Sequence, residues 1–297
     1  MHLPEKFITL VAKVWGKQGS VWLTQLPELV ARISSQWHLN TVVPFDNLTY
    51  HFVARARSTL YSKPVVIKIG IPSLHFIQEM NALQFFDGKG CVKLLAHDAQ
   101  KGALLLELIE PGTTVRDFFP THDDKAVEFA CQVMKKLHDQ SSKDTSGFAT
   151  MEQWLSLFTT LKVPHELHEP IQKALLFAQE LKSTGQQEYL LHGDLHHDNI
   201  LFDGPASCVA IDPKGVIGQQ AYEVGAFMCN PEELVSQPNL EEIFTRRLNQ
   251  FSKLLNIDRK RLVKAVYVRI ILSCCWTIQD NGDWRDDLHF AQLVLSA

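Results

Sequence analysis

Hydrophobic positions recur along this chain with two different periods, and the switch between them organises it. Over residues 24–38, Leu26, Leu29, Val30, Ile33 and Trp37 fall at helical spacing. The grain then changes. Residues 41–44, 49–57 and 64–71 read as short strands, with turn signals at Asp46-Asn47 and over 58–63. Residues 73–87 return to helix, with Ile77, Met80, Leu83 and Phe86 on one face. Two further strands are expected over 92–98 and 102–109, and Glu110-Pro111-Gly112 then breaks the pattern. Beyond this break the periodicity predicts helices over 124–139, 151–160, 166–183, 240–254, 259–279 and 286–295. The exception is 190–217, where short apolar runs alternate with polar turns. The expected architecture is α+β and two-lobed: a strand-rich front, 1–110, with an extra N-terminal helix, and a helical rear, 111–297.

Composition narrows the class. The 297 residues suit two domains at ~150 residues each. Hydrophobic residues make up 45% and charged residues 21%, which excludes a disordered, collagen-like or coiled-coil chain. The net charge of −4 argues against a general nucleic-acid binder. That charge is uneven: residues 1–110 carry +3 and residues 111–297 carry −7. Such a division suits an anionic ligand in front and a cationic one behind; a merely solvated surface explains it equally well. The six cysteines form no C-x-x-C pair and read as buried, reduced thiols. Neither a signal-peptide apolar region nor an apolar run of ~18 residues is visible. The expectation is a cytoplasmic protein with no membrane or nucleic-acid partner, and the sequence is silent on oligomeric state.

The most informative segment is His192-Gly193-Asp194-Leu195-His196-His197-Asp198-Asn199, with Ile211-Asp212-Pro213 downstream. Phosphoryl transfer needs a carboxylate beside the acceptor hydroxyl and oxygen ligands for magnesium ions bridging the phosphates. An Asp and an Asn five residues apart, with a later Asp, supply that set, and magnesium favours such hard oxygen donors. Taken singly the residues have plainer readings. Asp194 and Asn199 could cap turns, and Lys68 could be a solvated charge on an edge strand. A zinc hydrolase, suggested by His196 and His197, lacks a tight ligand set such as H-E-x-x-H. There is no G-x-S-x-G elbow and no G-x-x-x-x-G-K-[ST] loop.

The H-G-D-x-H-x-x-N segment followed by I-D-P resembles the catalytic loop of the protein-kinase-like fold, in the form seen in aminoglycoside phosphotransferases and related small-molecule kinases. It departs from the protein-kinase form by Gly193 in place of Arg and Ile211-Asp212-Pro213 in place of D-F-G. The front half agrees: Val65-Val66-Ile67-Lys68-Ile69 resembles the strand bearing the phosphate-binding Lys, and residues 104–109 resemble the hinge. Trp15-Gly16, Ile109-Glu110-Pro111-Gly112, Tyr222-Glu223-Val224, Asn230-Pro231 and Cys275-Trp276-Thr277 are most similar to the streptomycin and hydroxyurea-type phosphotransferases. The resemblance covers most of the chain.

What the resemblance implies is an enzyme using ATP and Mg2+ to phosphorylate a hydroxyl of a small, cationic molecule such as an aminoglycoside. Asp194 would accept or orient the acceptor proton. Asn199 and Asp212 would hold magnesium. Lys68, oriented by Glu79, would hold the phosphates. Leu106 would be the gatekeeper, with the Glu107 carbonyl and Ile109 amide meeting the adenine edge. The acceptor pocket is expected between the lobes, lined by Asp280, Asp283 and Glu232 or Glu233. Asp280 and Asp283 read equally well as helix caps, Asp286 and Asp287 as a helix first turn, and Trp276 as core. A glycine-rich phosphate loop is missing, since residues 47–53 contain no Gly, so the phosphate-loop contacts stay open. Two other readings also stay open: a kinase-like binding protein with little turnover, favoured by that loop, and a kinase of another metabolite or of a protein.

Overall fold

The computed structural model describes residues 3–139 and 144–297 and divides the chain into two compact units. The first comprises Met1–Gly88 and Val92–Glu110; the second comprises Lys89–Cys91 and Pro111–Ala297. The strip 89–91 joins the second unit because Gly90 O accepts from Ala210 N and Cys91 bridges to Ala210.

The first unit opens with helix α1, Glu5–Gln36, followed by strands β1, Leu39–Pro44, β2, Phe52–Ser58, and β3, Val65–Ile69. Helix α2, Leu74–Phe86, leads to β4, Leu94–Asp98, and β5, Ala103–Glu107. The strands form one antiparallel sheet in the order β1-β2-β3-β5-β4. β2 alternates, burying Phe52, Ala54, Ala56 and Ser58 while Arg55 and Arg57 face out. This is the two-residue period of a sheet with one covered face. Phe7, Val11, Trp22, Leu26, Val30 and Ile33 of α1 share a core with Phe52, Ala54, Ile67, Ile69 and Leu105.

Two expectations here need correction. The helix read at 24–38 is only the second half of α1, which begins at Glu5 and turns sharply at Gly16. Gly16 has φ 54 and ψ −128, a conformation open to glycine because it has no Cβ. The buried positions Phe7, Val11, Gly19, Trp22, Leu26, Val30 and Ile33 keep helical spacing on both sides of this kink. On α2 the expected Met80, Leu83 and Phe86 are buried, but Ile77 is 40% exposed and Phe76, 2% exposed, is buried in its stead. The buried face includes a carboxylate, Glu79, which a purely hydrophobic phase cannot register.

The second unit contains α3, Asp123–His138; β6, Ala149–Thr150; α4, Met151–Leu155; α5, Leu157–Thr160; and α6, His168–Ser183. Then come β7, Glu188–Leu191; β8, Ile200–Gly204; β9, Ser207–Ala210; and β10, Val216–Gln219. The chain ends with α7, Val224–Met228; α8, Leu240–Leu255; α9, Arg259–Gln279; and α10, Arg285–Ser296. β8 and β9 form a hairpin, and β10 lies between β6 and β7. The 151–160 helix is broken at Ser156, and 166–183 begins with a short 3-10 turn. α9 packs against α6, α7, α8 and α10. It is long and apolar enough to cross a membrane by length and composition, although Arg269 keeps its apolar residues from forming an unbroken run of ~18. Its most apolar stretch is 61% buried within the unit, in keeping with a core helix.

Candidate active site

In the first unit, β3 is bonded on both sides, to β2 and to β5, so Lys68 is on a central strand and not on an edge. Its side chain is buried, with Nζ 2.7 Å from Glu79 Oε1 on α2, whose side chain is buried too. A buried ammonium needs such a partner, because desolvation is otherwise uncompensated. Glu107 ends β5 opposite Val65. Its backbone N donates to Lys93 O at 3.1 Å, and its Oε1 accepts from Lys93 N at 2.8 Å. Ile109 follows, half-buried and outside the strand.

In the second unit, β7 runs out at Leu191 into the 192–199 loop, whose first three residues are held at both backbone N and O. Glu223, fully inside the unit, accepts from His192 N at 2.7 Å and from Gly193 N at 2.9 Å. Burial alone would raise the Glu223 pKa, but His138 beside it and the loop amides together hold it below the usual carboxylate range. The Asp194 amide donates to His192 Nδ1 at 3.2 Å, which makes Nδ1 an acceptor and puts the ring proton on Nε2. Nε2 therefore donates to Ile211 O at 2.7 Å. Burial lowers the His192 pKa and keeps the ring in this neutral form.

The same contacts join this loop to the residues around Asp212. Ile211 N donates to Asn199 O at 2.9 Å, and Lys214 N donates to His192 O at 2.7 Å. Asn199 Nδ2 donates to Asp194 O at 2.9 Å, which commits the amide nitrogen and leaves Oδ1 as the atom offered to a cation. Asp212 has φ 59, in the left-handed region that Asp tolerates better than most residues. The Asp194 side chain is 38% exposed, with Lys214 Nζ 3.8 Å from Oδ2. Thus Asp194, Asn199 and Asp212 are brought onto two cross-bonded loops, and the donors they present are hard oxygens suited to magnesium. Among the described residues, no cluster of three or more His, Cys, Asp and Glu side chains could hold a metal ion by itself.

The loop also rests on a buried ion network. His197 stacks on Phe227 at 3.9 Å and faces Asp123 and Arg247. Burial brings the His197 pKa down to about 3. Arg247 forks onto Asp123 at 2.6 and 2.9 Å and donates to the carbonyls of Phe227 and Asn230.

The four carboxylates expected around an acceptor lie on two separate segments. Glu232 and Glu233 occupy a 3-10 turn after Pro231, and Asp280 and Asp283 flank the turn between α9 and α10. Glu233 is bridged by Arg116 Nη2 at 2.6 Å, and the same guanidinium reaches Asp198 at 2.9 Å. Asp283 pairs with Arg285 at 2.8 Å. Asp280 takes the C-cap position of α9. Asp286 and Asp287 are in the first turn of α10, and Trp276 is half-buried against Trp154, their ring centroids 5.1 Å apart.

Sequence reasoning gave no role to Lys214, Glu223, Arg116 or Arg269. For Glu223 and Arg269 a signal was present, since each is a lone charge inside an apolar run, residues 221–228 and 265–276. Lys214 and Arg116 sit among polar residues and carry no such mark.

A family model described as "Aminoglycoside/hydroxyurea antibiotic resistance kinase" matches residues 38–282. The chain belongs to this kinase family. It is an ATP-dependent phosphotransferase acting on a hydroxyl group. Among its relatives is the streptomycin 6-kinase of Streptomyces glaucescens, 24% identical over 95% of this chain and 92% of that protein. The hydroxyurea phosphotransferase of Kitasatospora aureofaciens is also 24% identical, over 95% of this chain and 82% of its own length. Two solved structures share the fold. A choline kinase from Streptococcus pneumoniae superposes with a TM-score of 0.67 at 16% identity, covering 92% of this chain and all of that one. An aminoglycoside phosphotransferase in complex with ADP and hygromycin B gives a TM-score of 0.62 at 11% identity, covering 90% of this chain and 96% of its own. The protein-kinase-like fold expected from the sequence is therefore the fold of this family member.

Proposed function

We propose that this kinase transfers the γ-phosphoryl group of ATP to a hydroxyl of a small cationic molecule of the aminoglycoside class, streptomycin-like, in the cytoplasm. The observation that carries the reading is the bonding of the 192–199 loop to residues 211–214, which holds Asp194 and Asn199 on a scaffold shared with Asp212. On this reading Asp194 takes or orients the proton of the attacking hydroxyl. Asn199 and Asp212 hold magnesium, which when bound neutralises charge on the phosphate oxygens. Lys68, steadied by Glu79, fixes the donor phosphates. The backbone of Glu107 and Ile109 receives the adenine edge. Catalysis here is positioning and charge stabilisation more than covalent chemistry.

One observation supports a second acceptor class. Glu233 and Asp283 already have guanidinium partners, which leaves fewer free carboxylates for a cation and suits a neutral acceptor such as hydroxyurea. The test is ATP consumption with streptomycin, other aminoglycosides, hydroxyurea and neutral polyols, with mass detection of a phosphate adduct. An adduct on a cationic aminoglycoside supports the first reading. An adduct on hydroxyurea alone moves the assignment to the second, and turnover with none of them removes both.

A further inference from the structure

Arg269 is an anomaly of the second unit. It lies on α9, only 5% exposed, yet no carboxylate is within ion-pair distance of it among the described residues. Its Nη1 has no hydrogen-bond partner. A buried guanidinium with no carboxylate in direct contact is costly, and an apolar side chain of similar size would fill the same space more favourably. A charge kept there at that cost needs a reason outside packing.

Its contacts supply one. Nη2 donates to Gly193 O at 2.9 Å. The guanidinium is lodged in the corner of a T-shaped aromatic pair, 5.4 Å from the Trp154 ring and 4.8 Å from the Trp276 ring. A planar cation against indole faces is held in orientation as well as in place. Two glycines make room for this arrangement. A Cβ on Gly225 would come within 2.3 Å of Arg269 Cβ, and one on Gly193 within 2.8 Å of Trp154 Cη2, at a residue whose φ is already +84.

The carbonyl that Arg269 grips belongs to the peptide whose N–H is that of Asp194. That N–H is bonded to His192 Nδ1, so both polar atoms of this planar unit are held from opposite sides. Fixing the plane fixes the direction in which the Asp194 Cα presents its carboxylate. We propose that Arg269, clamped by Trp154 and Trp276, is a positioning residue for Asp194. This rests on Asp194 being the acceptor-side carboxylate. Misplacement of a catalytic group by about 1 Å can cost ~10²-fold in rate, so loss of the grip should fall on kcat.

The experiment compares R269M, R269K and R269A with D194N and the parent enzyme, measuring kcat, acceptor KM, ATP affinity and melting temperature. For R269M we expect an unchanged or raised melting temperature, ATP affinity close to the parent, and a kcat lowered by ~10- to 100-fold. R269K, which keeps the charge without the planar fork, should recover part of that loss. Methylguanidinium added to R269A should raise kcat in a saturable way, while equal urea or sodium chloride should not. A folded R269M with kcat within about twofold of the parent overturns the proposal. If R269M fails to fold, absence of any methylguanidinium rescue in R269A overturns it equally. D194N separates the two levels: an active D194N removes the role of Asp194 itself, whereas an inactive D194N beside a fully active R269M removes only the role of Arg269.

Discussion

Lys68 shows why single residues here carry unequal weight. A lysine in a strand is ordinary, but one on a central strand, 2.7 Å from a buried carboxylate, has no solvent to fall back on. Removing Glu79 would take a close carboxylate from a buried ammonium, a change worth about 3–5 kcal/mol for comparable pairs. Glu79→Ala should therefore lower stability and weaken ATP binding, and Lys68→Ala should weaken ATP binding more. If the two residues act as a pair, the double mutant will be less impaired than the sum of the singles, with a coupling of about 0.5–3 kcal/mol. Simple additivity in ATP affinity would show the ion pair to be incidental. Asp194 poses the complementary case, a partly exposed carboxylate on a rigid backbone. Asp194→Asn keeps shape and removes the base, so turnover should drop by ~10²–10⁴-fold with ATP binding retained. Turnover within a factor of a few of the parent would exclude Asp194 as the catalytic carboxylate.

Among elements, the join between α3 and α8 controls the floor beneath the catalytic loop. Asp123 opens α3 and takes Arg247 and Arg246 of α8, while Arg247 also reaches His197 and the carbonyls before α8. Burial would raise the Asp123 pKa, but His197 beside it and the hydrogen bonds from Arg247 and Arg246 outweigh it and hold the carboxyl far below the usual carboxylate range. The unfolded chain therefore takes up this proton first as pH falls. The stabilisation is complete above the ordinary carboxylate pKa of about 4 and is lost as pH drops below it. Asp123→Asn should cost about 3–5 kcal/mol near neutral pH. In urea unfolding, the difference from the parent should narrow below pH ~4; a constant difference down to pH ~3 would contradict the linkage. Elements of this kind are only half legible in sequence. The strands of the first unit, the break at Glu110, α9 and the H-G-D-x-H-x-x-N loop all show in periodicity or spacing. The first half of α1 is missed although Phe7 and Val11 continue the spacing of Trp22, Leu26, Val30 and Ile33, because the polar and glycine positions at 16–20 thin the apolar pattern between them. The buried face of α2 is legible in Met80, Leu83 and Phe86, while Phe76 and Glu79 beside them are not. The supports of the site, Glu223 and Arg269, stand out in sequence as lone charges inside apolar runs, but their partners are backbone atoms, which sequence does not name.

For the whole molecule the property that bears on substrate choice is the acidity of its second half. Residues 111–297 carry −7, and a cationic acceptor would be drawn by that field before it makes any contact. The field reaches over a Debye length of ~30 Å at 0.01 M salt but only ~8 Å at 0.15 M. A cationic acceptor should therefore show a KM that rises with ionic strength, while a neutral acceptor should show little change. The carboxylates should also differ from one another. Asp283 is already paired with Arg285, and Glu233 with Arg116, so removing either charge also releases a cation. Asp280 is exposed at the end of α9 and carries no such pair among the described residues. Asp280→Asn should then raise the KM of a cationic acceptor more than Asp283→Asn does, with ATP binding unchanged in both. Steady-state kinetics on the two variants at low and physiological salt decides the matter. A larger effect from Asp283→Asn, or an acceptor KM indifferent to salt in the parent enzyme, would mean that the charge of the second half does not select the substrate, and the neutral-acceptor reading would take its place.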